Sequence, residues 1–375
     1  MIPTQQPHLI VAALSHPGES GKNNEDRARV ASFRLSKDRT PVLLAIVADG
    51  IGGHQAGEVA AELAIDTFTN MVGASVDAEP LPLLRQGIVE ASRAIQRASR
   101  QAVELEGMGS TIAIAYVVGD RFYSATVGDS RIYYLSWGVL RQVSTDHTWI
   151  QEAIEHHIIT PQEAKDHPHA HVLHRHLGGL QDPQPDLRLR LSPEEDEARS
   201  LANQGLKLNP GDQILLCSDG LTDLVRDDEI HGILHGNPSD EAARRLVDLA
   251  RSRGGHDNIT VVILVAPKGV RRKPHRRTRM ALAGLLGAAA LIALVTLGAA
   301  VAWWFGFWPW PSVRDSAPTV LPAQATSSPF PMGVVPSVTP VPSPAISPSP
   351  TPVPSPTSTA ITLPIAEPSQ TPGDS

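Results

Sequence analysis

From Met280 to Val313 the chain carries no charged residue, and the segment just before it, Pro267 to Arg279, holds seven Lys or Arg and no acid. This break decides where a globule can form. The residues from Val320 onward are a Pro-, Ser- and Thr-rich run. Such sequence cannot bury enough apolar surface to fold. The core must therefore come from Met1 to Ala266, which is long enough for one sizeable domain. That part carries 24 Lys/Arg against 36 Asp/Glu, a net charge of −12.

The stretch MALAGLLGAAALIALVTLGAAVAWW is about 25 residues long, enough for a helix to cross a hydrocarbon layer of about 30 Å. Trp303, Trp304, Phe305, Phe307, Trp308 and Trp310 would form an aromatic belt at one interface, and the basic run marks the cytoplasmic side. That run also suits anionic headgroups. Met1 to Ser15 has no basic leader, so no signal peptide is expected. The expected plan has four parts. Residues 1–266 are a cytoplasmic domain, 267–279 a basic juxtamembrane segment, and 280–305 a transmembrane helix. Residues 306–375 are an aromatic interface and then a disordered tail outside the cell membrane.

Charge and cysteine usage exclude several classes. An acidic domain is a poor partner for nucleic acid. With Cys217 as its one cysteine, the chain has no disulfide framework and no Cys-based zinc site. The residue six positions later is Asp223 and not Arg, which argues against a thiol phosphatase. Cys217 itself reads as an inert core thiol.

Within the domain, apolar runs predict strands near Leu9–Leu14, Val42–Ala48, Ser110–Val118, Arg121–Val127, Ile132–Leu135, Gln213–Cys217 and Asn258–Leu264. Helical periodicity predicts helices at Gly57–Val72, Pro82–Glu104, Trp149–His156 and Asp240–Ser252. Strands follow one another through short turns such as Gly119-Asp120, and two long helices come consecutively. That order favours α+β layers over a doubly wound parallel sheet.

The chemical signal is repeated. An apolar strand ends in Asp followed by a small residue at Asp49-Gly50, at Asp129-Ser130 and at Asp219-Gly220. Asp257 stands just before the last strand, and Asn24-Glu25-Asp26 just before an early one. Any one Asp-Gly pair is more often a turn. Several carboxylates brought together repel unless a cation lies among them. All-oxygen sites suit Mg²⁺ or Mn²⁺. Two such ions sharing a water can make a nucleophile for phosphoryl chemistry. Ser130 and Ser218 adjoin these acids, but no His-Asp pair marks either as a nucleophile.

The ordered set NNED (23–26), VADGIGGHQAGE (47–58), GMGSTIAIAYV (107–117), VGDSRIYYL (127–135), ILLCSDGLTDLV (214–225) and HDNITVVIL (256–264) resembles the bacterial type 2C metal-dependent Ser/Thr protein phosphatases. The resemblance covers about residues 8–266. It implies a four-layer αββα sandwich with two Mn²⁺ or Mg²⁺ ions at one end. Asp49 would bridge the ions, the Gly50 carbonyl would bind one, and Asp219 and Asp257 would complete the set. Glu25 and Asp26 would hold metal-bound waters, Asp129 would help bind a weaker third ion, and Asn258 would orient Asp257. The implied activity is hydrolysis of phosphoserine and phosphothreonine in proteins, opposing a Ser/Thr kinase. Phosphorylated proteins, that kinase among them, would be the partners.

Two positions depart from the pattern. Gly21 stands where the family usually has a phosphate-gripping Arg, with Lys22 beside it as a candidate substitute. Lys is a point charge and not a bidentate fork. Ile51 stands where relatives have His or Met, which leaves the proton donor unassigned; His54 is near in sequence. A phosphoprotein-binding sensor of the same fold, catalytically weak, is the alternative, and a hydrolase for another phosphoester a further one. Finally, His156, His157, His167, His169, His171, His174 and His176 crowd one segment. It reads as a polar flap, with a pH- or metal-responsive flap as the sharper option.

Overall fold

The computed structural model describes residues 1–52, 56–164, 167, 169, 172–268, 294–301, 304, 306 and 361–362. Strands β1 (Ile2–Thr4), β2 (Ile10–His16), β3 (Arg27–Arg34), β4 (Pro41–Ala48) and the short β5 (Gly50–Ile51) precede two long helices. These are α1 (Ala56–Ala74) and α2 (Pro80–Ser99). After a tight turn at Val103–Leu105 come β6 (Gly109–Ser110), β7 (Ile112–Val118), β8 (Arg121–Val127), β9 (Arg131–Ser136) and β10 (Val139–Gln142). Helices α3 (Trp149–Glu155), α4 (Pro161–Ala164) and α5 (Glu197–Ala202) follow, then β11 (Leu206–Lys207) and β12 (Gln213–Cys217). Helices α6 (Asp219–Thr222), α7 (Asp227–Gly236) and α8 (Ser239–Ser252) lead to β13 (Ile259–Val265), and β14 (Ile361–Thr362) lies far downstream.

Two large antiparallel sheets result, ordered β1-β3-β4-β7-β8-β11 and β10-β9-β12-β13-β2, with β5 and β6 forming a separate two-stranded pair. Their strands are buried on both sides because each sheet is covered twice. Leu43, Ala45 and Val47 of β4 meet Leu216, Val262 and Leu264 between the sheets. The alternate residues Val42, Leu44 and Ile46 pack on Ala60, Ala64, Phe68 and Leu84 of α1 and α2. On the other side, Leu215, Val261 and Ile263 pack on Leu246, Val247 and Ala250 of α8. The order is therefore helix, sheet, sheet, helix, as the family resemblance implies. The period-two alternation of a strand explains how β4 feeds two cores at once. Small residues set the helix spacing: Gly87 of α2 lies so close to the Phe68 ring that a Cβ there would collide.

Three expectations need correction. The second long helix ends at Ser99 and not at Glu104, because Ala102 turns extended before the short turn at Val103–Leu105. Helices α6 and α7 follow β12, where no helix is expected from sequence; α7 buries only Ile230 and Leu234, too sparse a stripe to read. The third concerns the tail. Ile361–Thr362, expected in a structureless run, pairs with Val30 and Arg29 of β3. Strand β1 covers β3 only from Ser32 to Arg34, so the edge beyond it offers open backbone groups. The expected transmembrane helix 280–305 lies mostly outside the described residues. Among the described residues no helix is long and apolar enough to cross a membrane.

Candidate metal centre

At one end of the sandwich β4, β8 and β12 run out and β3, β9 and β13 begin. A cleft of about 670 Å³ opens there. Asp49, Gly50, Asp129, Asp219, Asp257, Glu25, Lys22 and Asn258 all line it. Residues far apart in sequence thus meet because each sits one step beyond, or before, a strand of the two sheets.

Asp49 is clamped by its own backbone. Its N–H donates to Thr111 Oγ1 at 3.0 Å, and its carbonyl accepts from Thr111 N at 2.8 Å and from Ser110 Oγ at 2.9 Å. Thr111 Oγ1 is in turn 2.7 Å from Ser130 Oγ. Burial holds the Asp49 carboxyl well above its usual range, and the neighbouring Asp26, Asp219, Asp129 and Asp257 push the same way. Gly50 must be glycine: a Cβ would strike the Gly57 carbonyl at the start of α1 and come within 2.8 Å of the Glu25 carbonyl. Gly220 likewise leaves no space against the Asn258 carbonyl.

Asp26 is not on the cleft wall but beneath it, buried. Its Oδ2 accepts from Ser218 Oγ at 2.7 Å, and its Oδ1 is buried with no hydrogen-bond partner among the described residues. Burial pushes this carboxyl up to about 7, against the pull of Ser218. Glu25 does line the cleft and is also raised, first by burial and then by Asp257. Asn258 does more than the sequence suggests. Its backbone N–H donates to Asp257 Oδ1 at 2.8 Å. Its side chain donates to the carbonyls of Pro17 and Asn23 and accepts from Glu25 N at 2.7 Å, stapling the first acidic segment to the last strand.

Asp129 follows Gly128, whose φ of 102° suits glycine alone. Burial raises the Asp129 carboxyl strongly, with Asp219 and Asp146 adding to it. The Gly128 N–H donates to His147 Nδ1 at 3.0 Å, and His147 Nε2 faces Asp186 at 3.4 Å. Arg188 pairs with Asp186 and fixes that arrangement. An imidazole accepting at Nδ1 carries its proton on Nε2, toward Asp186. His147, Thr111, Leu173 and the hydroxyl of Ser218 are the supporting residues that sequence reading missed. Ser218 and Thr111 were in plain view beside the acids, but nothing in their type tells a supporting hydroxyl from a surface one.

The cleft fits a hard cation. Its donors are oxygens, an orphaned buried carboxylate oxygen lies under it, and glycines keep backbone carbonyls close. Among the described residues no three of these groups already converge as a finished cage. Lys22 supplies positive charge on the wall. Gly21 adopts φ 73° with open space around it, so an Arg would fit by volume and be strained by conformation. Ile51 lines the cleft and has no proton to give; His54 lies outside the described residues. None of the described histidines of the 156–176 segment lines the cleft, although Leu173 of that segment does. His167 stacks on Trp149 at 4.8 Å, and His174 pairs with Glu152; His171 lies outside the described residues. Cys217 is buried, and burial pushes its thiol far up, as an inert core thiol should be.

Residues 16–257 match the family described as Protein phosphatase 2C. The chain belongs to that family. Among curated relatives, the Serine/threonine protein phosphatase PstP of Mycobacterium tuberculosis is 35% identical over 255 residues, covering 68% of this chain and 44% of PstP. The chain thus spans about half the length of that relative. The Serine/threonine phosphatase stp of Listeria welshimeri is 33% identical over 66% of this chain and 92% of its own. Among solved structures, the Mycobacterium tuberculosis serine/threonine phosphatase PstP/Ppp superposes with a TM-score of 0.59 at 34% identity, over 69% of this chain and 99% of that one. The catalytic domain of PstP in complex with 2 manganese ions gives 0.56 at 33% identity, over 68% and 97%. The family resemblance drawn from the motifs is borne out.

Proposed function

We propose that this chain hydrolyses phosphoserine and phosphothreonine in proteins at the carboxylate cleft. The observation that carries the reading is the meeting of Asp49, Asp129, Asp219 and Asp257 in one cleft above an orphaned Asp26 oxygen. Asp49, the Gly50 carbonyl, Asp219 and Asp257 would hold two Mn²⁺ or Mg²⁺ ions, and Asp129 would help hold a weaker third. When bound, the ions supply an acidified water nucleophile and neutralise phosphoryl charge.

The protein's own groups do the rest. Thr111 and Ser110 fix the Asp49 backbone, and Ser218 orients Asp26. Glu25, on the wall, would hold waters in the cleft, and Asp26 beneath it would support the carboxylates above. Lys22 attracts the phosphate as a point charge. With Ile51 at the expected donor position, the leaving alkoxide takes its proton from solvent in the cleft. The manganese-bound relative supports this ion choice.

The reading extends to location. Residues 1–266 act in the cytoplasm and 280–305 enter the bilayer, so that a membrane-bound Ser/Thr kinase and its targets are natural partners. Residues 294–301 support this: they are helical, and Leu294, Val295, Leu297 and Val301 are all exposed. A tail across the bilayer cannot also pair with β3, so β14 and the anchor exclude each other. Two paired residues weigh little against about 25 apolar ones.

The test is phosphate release from a phosphothreonine peptide by the full chain, with Mn²⁺ and with chelator, beside Asp219→Asn. Mn²⁺-dependent release lost in the variant is expected. Mn²⁺ binding by a folded protein without release would overturn catalysis and leave the phosphoprotein-binding sensor.

A further inference from the structure

The end of the sandwich opposite the cleft has its own character. Strands β12 and β13 run from the cleft at Cys217 and Ile259 to the far end at Gln213 and Val265. The far end is closed by the hairpin tip between β9 and β10, Trp137-Gly138. Trp137 is 88% exposed and sits at φ 52°. A two-residue turn with both residues at positive φ is the province of Asn and Gly. A bare tryptophan there is explained neither by packing nor by turn chemistry. The tip is nevertheless held: His231 Nε2 lies 2.8 Å from the Gly138 carbonyl, and the adjoining Ser136 Oγ donates to Asp212 at 2.7 Å.

The chain leaves the domain at the same spot. Ala266 N donates to the Asp212 carbonyl at 2.9 Å, and Gly211 N to the Ala266 carbonyl at 2.9 Å. Only a few residues therefore separate Trp137 from the start of the basic run 268–279 and the charge-free stretch that follows it. The strand ends and loops here also carry exposed Arg34, Lys37, Arg39, Arg121, Lys207 and Lys268, against exposed Asp38 and Asp120. Asp77 accepts from the backbone N–H groups of Ser36 and Lys37 and so lies within this area, while Glu79, Asp240 and Glu241 lie at the flanking helix ends. In a domain of net charge −12 this is a local reversal of sign.

We infer that this end of the sandwich rests on an anionic lipid surface, with Trp137 in the headgroup layer and the carboxylate cleft facing away from the membrane. Charge complementarity and the basic, then apolar, continuation of the chain argue for lipid over protein. Tryptophan is the side chain enriched at that depth. The orientation rests on the proposal that 280–305 enters the bilayer. It deepens that proposal by saying which face is presented to phosphorylated partners.

The test uses the full chain reconstituted into phosphatidylcholine vesicles with about one-third phosphatidylglycerol, plus a headgroup-nitroxide lipid. Trp137→Cys carries a small apolar fluorophore. Ser20→Cys, exposed at the cleft end, carries the same label, and buried Cys217 does not compete for it. Quenching severalfold stronger at 137 than at 20, and reduced by Arg39→Glu with Arg121→Glu, is the expected result. Equal quenching at both positions, or none at either, overturns the inference. So does quenching at 137 that vanishes when the protein is diluted in the vesicles, which would mean contact between two copies. Flotation in alkaline carbonate reports on the anchor separately. A chain that does not float loses the anchor, and quenching at 137 alone would then still establish the surface as a peripheral one.

Discussion

The two ends of the sandwich are built from the same strands and have opposite electrostatics. At the cleft end, buried carboxylates are raised by burial and by one another, and one Asp26 oxygen has no partner among the described residues. At the far end, the buried acid Asp212 is fully served. It accepts from Tyr134 Oη at 2.5 Å, Ser136 Oγ at 2.7 Å and Asn209 N at 2.7 Å. One end stores electrostatic cost that a cation can relieve, and the other has none to relieve. Buried acids are costly only where nothing answers them.

The largest test of this contrast is Asp219→Asn. Removing one metal-holding carboxylate should cost several kcal/mol of transition-state stabilisation, about a thousandfold in kcat/KM, with folding intact by circular dichroism. A loss under tenfold would remove Asp219 from the metal set. The matching change at the other end is Asp212→Ala. It strands the buried Tyr134 and Ser136 hydroxyls and the half-buried Asn209 donors and should lower stability by about 2–4 kcal/mol in urea unfolding. The Mn²⁺ dependence of the surviving folded protein should be unchanged; a shift would mean the ends are coupled.

A third test reads the stored cost through pH. In the metal-free protein Asp26 binds its proton up to about 7, whereas unfolded it would release it near 3.8. The folded state thus holds the extra proton between these values, and stability falls as pH rises through that window. Scanning calorimetry with chelator should show the melting temperature dropping by about 5 °C from pH 5 to pH 7.5. The lowered carboxyls of Asp186 and Glu229 act with the opposite sign only in more acid solution, whereas burial lowers His8 and His16 and these oppose the fall below about 6.5, so the fall should be steepest above that pH. Saturating Mn²⁺ should abolish the slope, and a slope that persists with Mn²⁺ would locate its origin elsewhere.

Smaller effects sharpen the picture. Ser218→Ala removes the hydroxyl that orients Asp26 and should weaken Mn²⁺ activation by about 10–100-fold, with kcat at saturating metal little changed. Lys22→Ala should raise KM for a phosphopeptide by about threefold, as befits an exposed point charge. A large fall in kcat would instead show that Lys22 acts in the transition state.

Much of this was legible in the sequence. Strands β4, β8, β12 and β13 are long apolar runs closed by turn residues, so their ends, and the acids on them, could be read directly. Helices α1 and α8 announce themselves through Ala60, Ala64 and Phe68 and through Leu246, Val247 and Ala250. Strand β3 was not bounded because Arg27 and Arg29 interrupt its apolar pattern. They face the acids of α1, where Arg27 pairs with Glu58 and Arg29 with Glu62 and Asp66. Asp26 and Glu25 looked alike in sequence. Only the tertiary packing separates the buried one from the one on the wall. Trp137 carries no local signal either, since its meaning depends on which strand ends it shares.

Asn258 ties the last strand to the segment between Pro17 and Glu25, and β2 pairs with β13 along its whole length from Ile10 to His16. The second strand, β2, and the last strand of residues 1–266, β13, are therefore neighbours. A nascent chain emerging from the ribosome makes Asp49, Asp129 and Asp219 before Asp257; Ser218 can already hold Asp26, but the Asn258 bond to Glu25 N forms only when the last strand is made. The cleft is complete only once β13 has been made, so any chain truncated before β13 should be silent, however much of the cleft it already encodes.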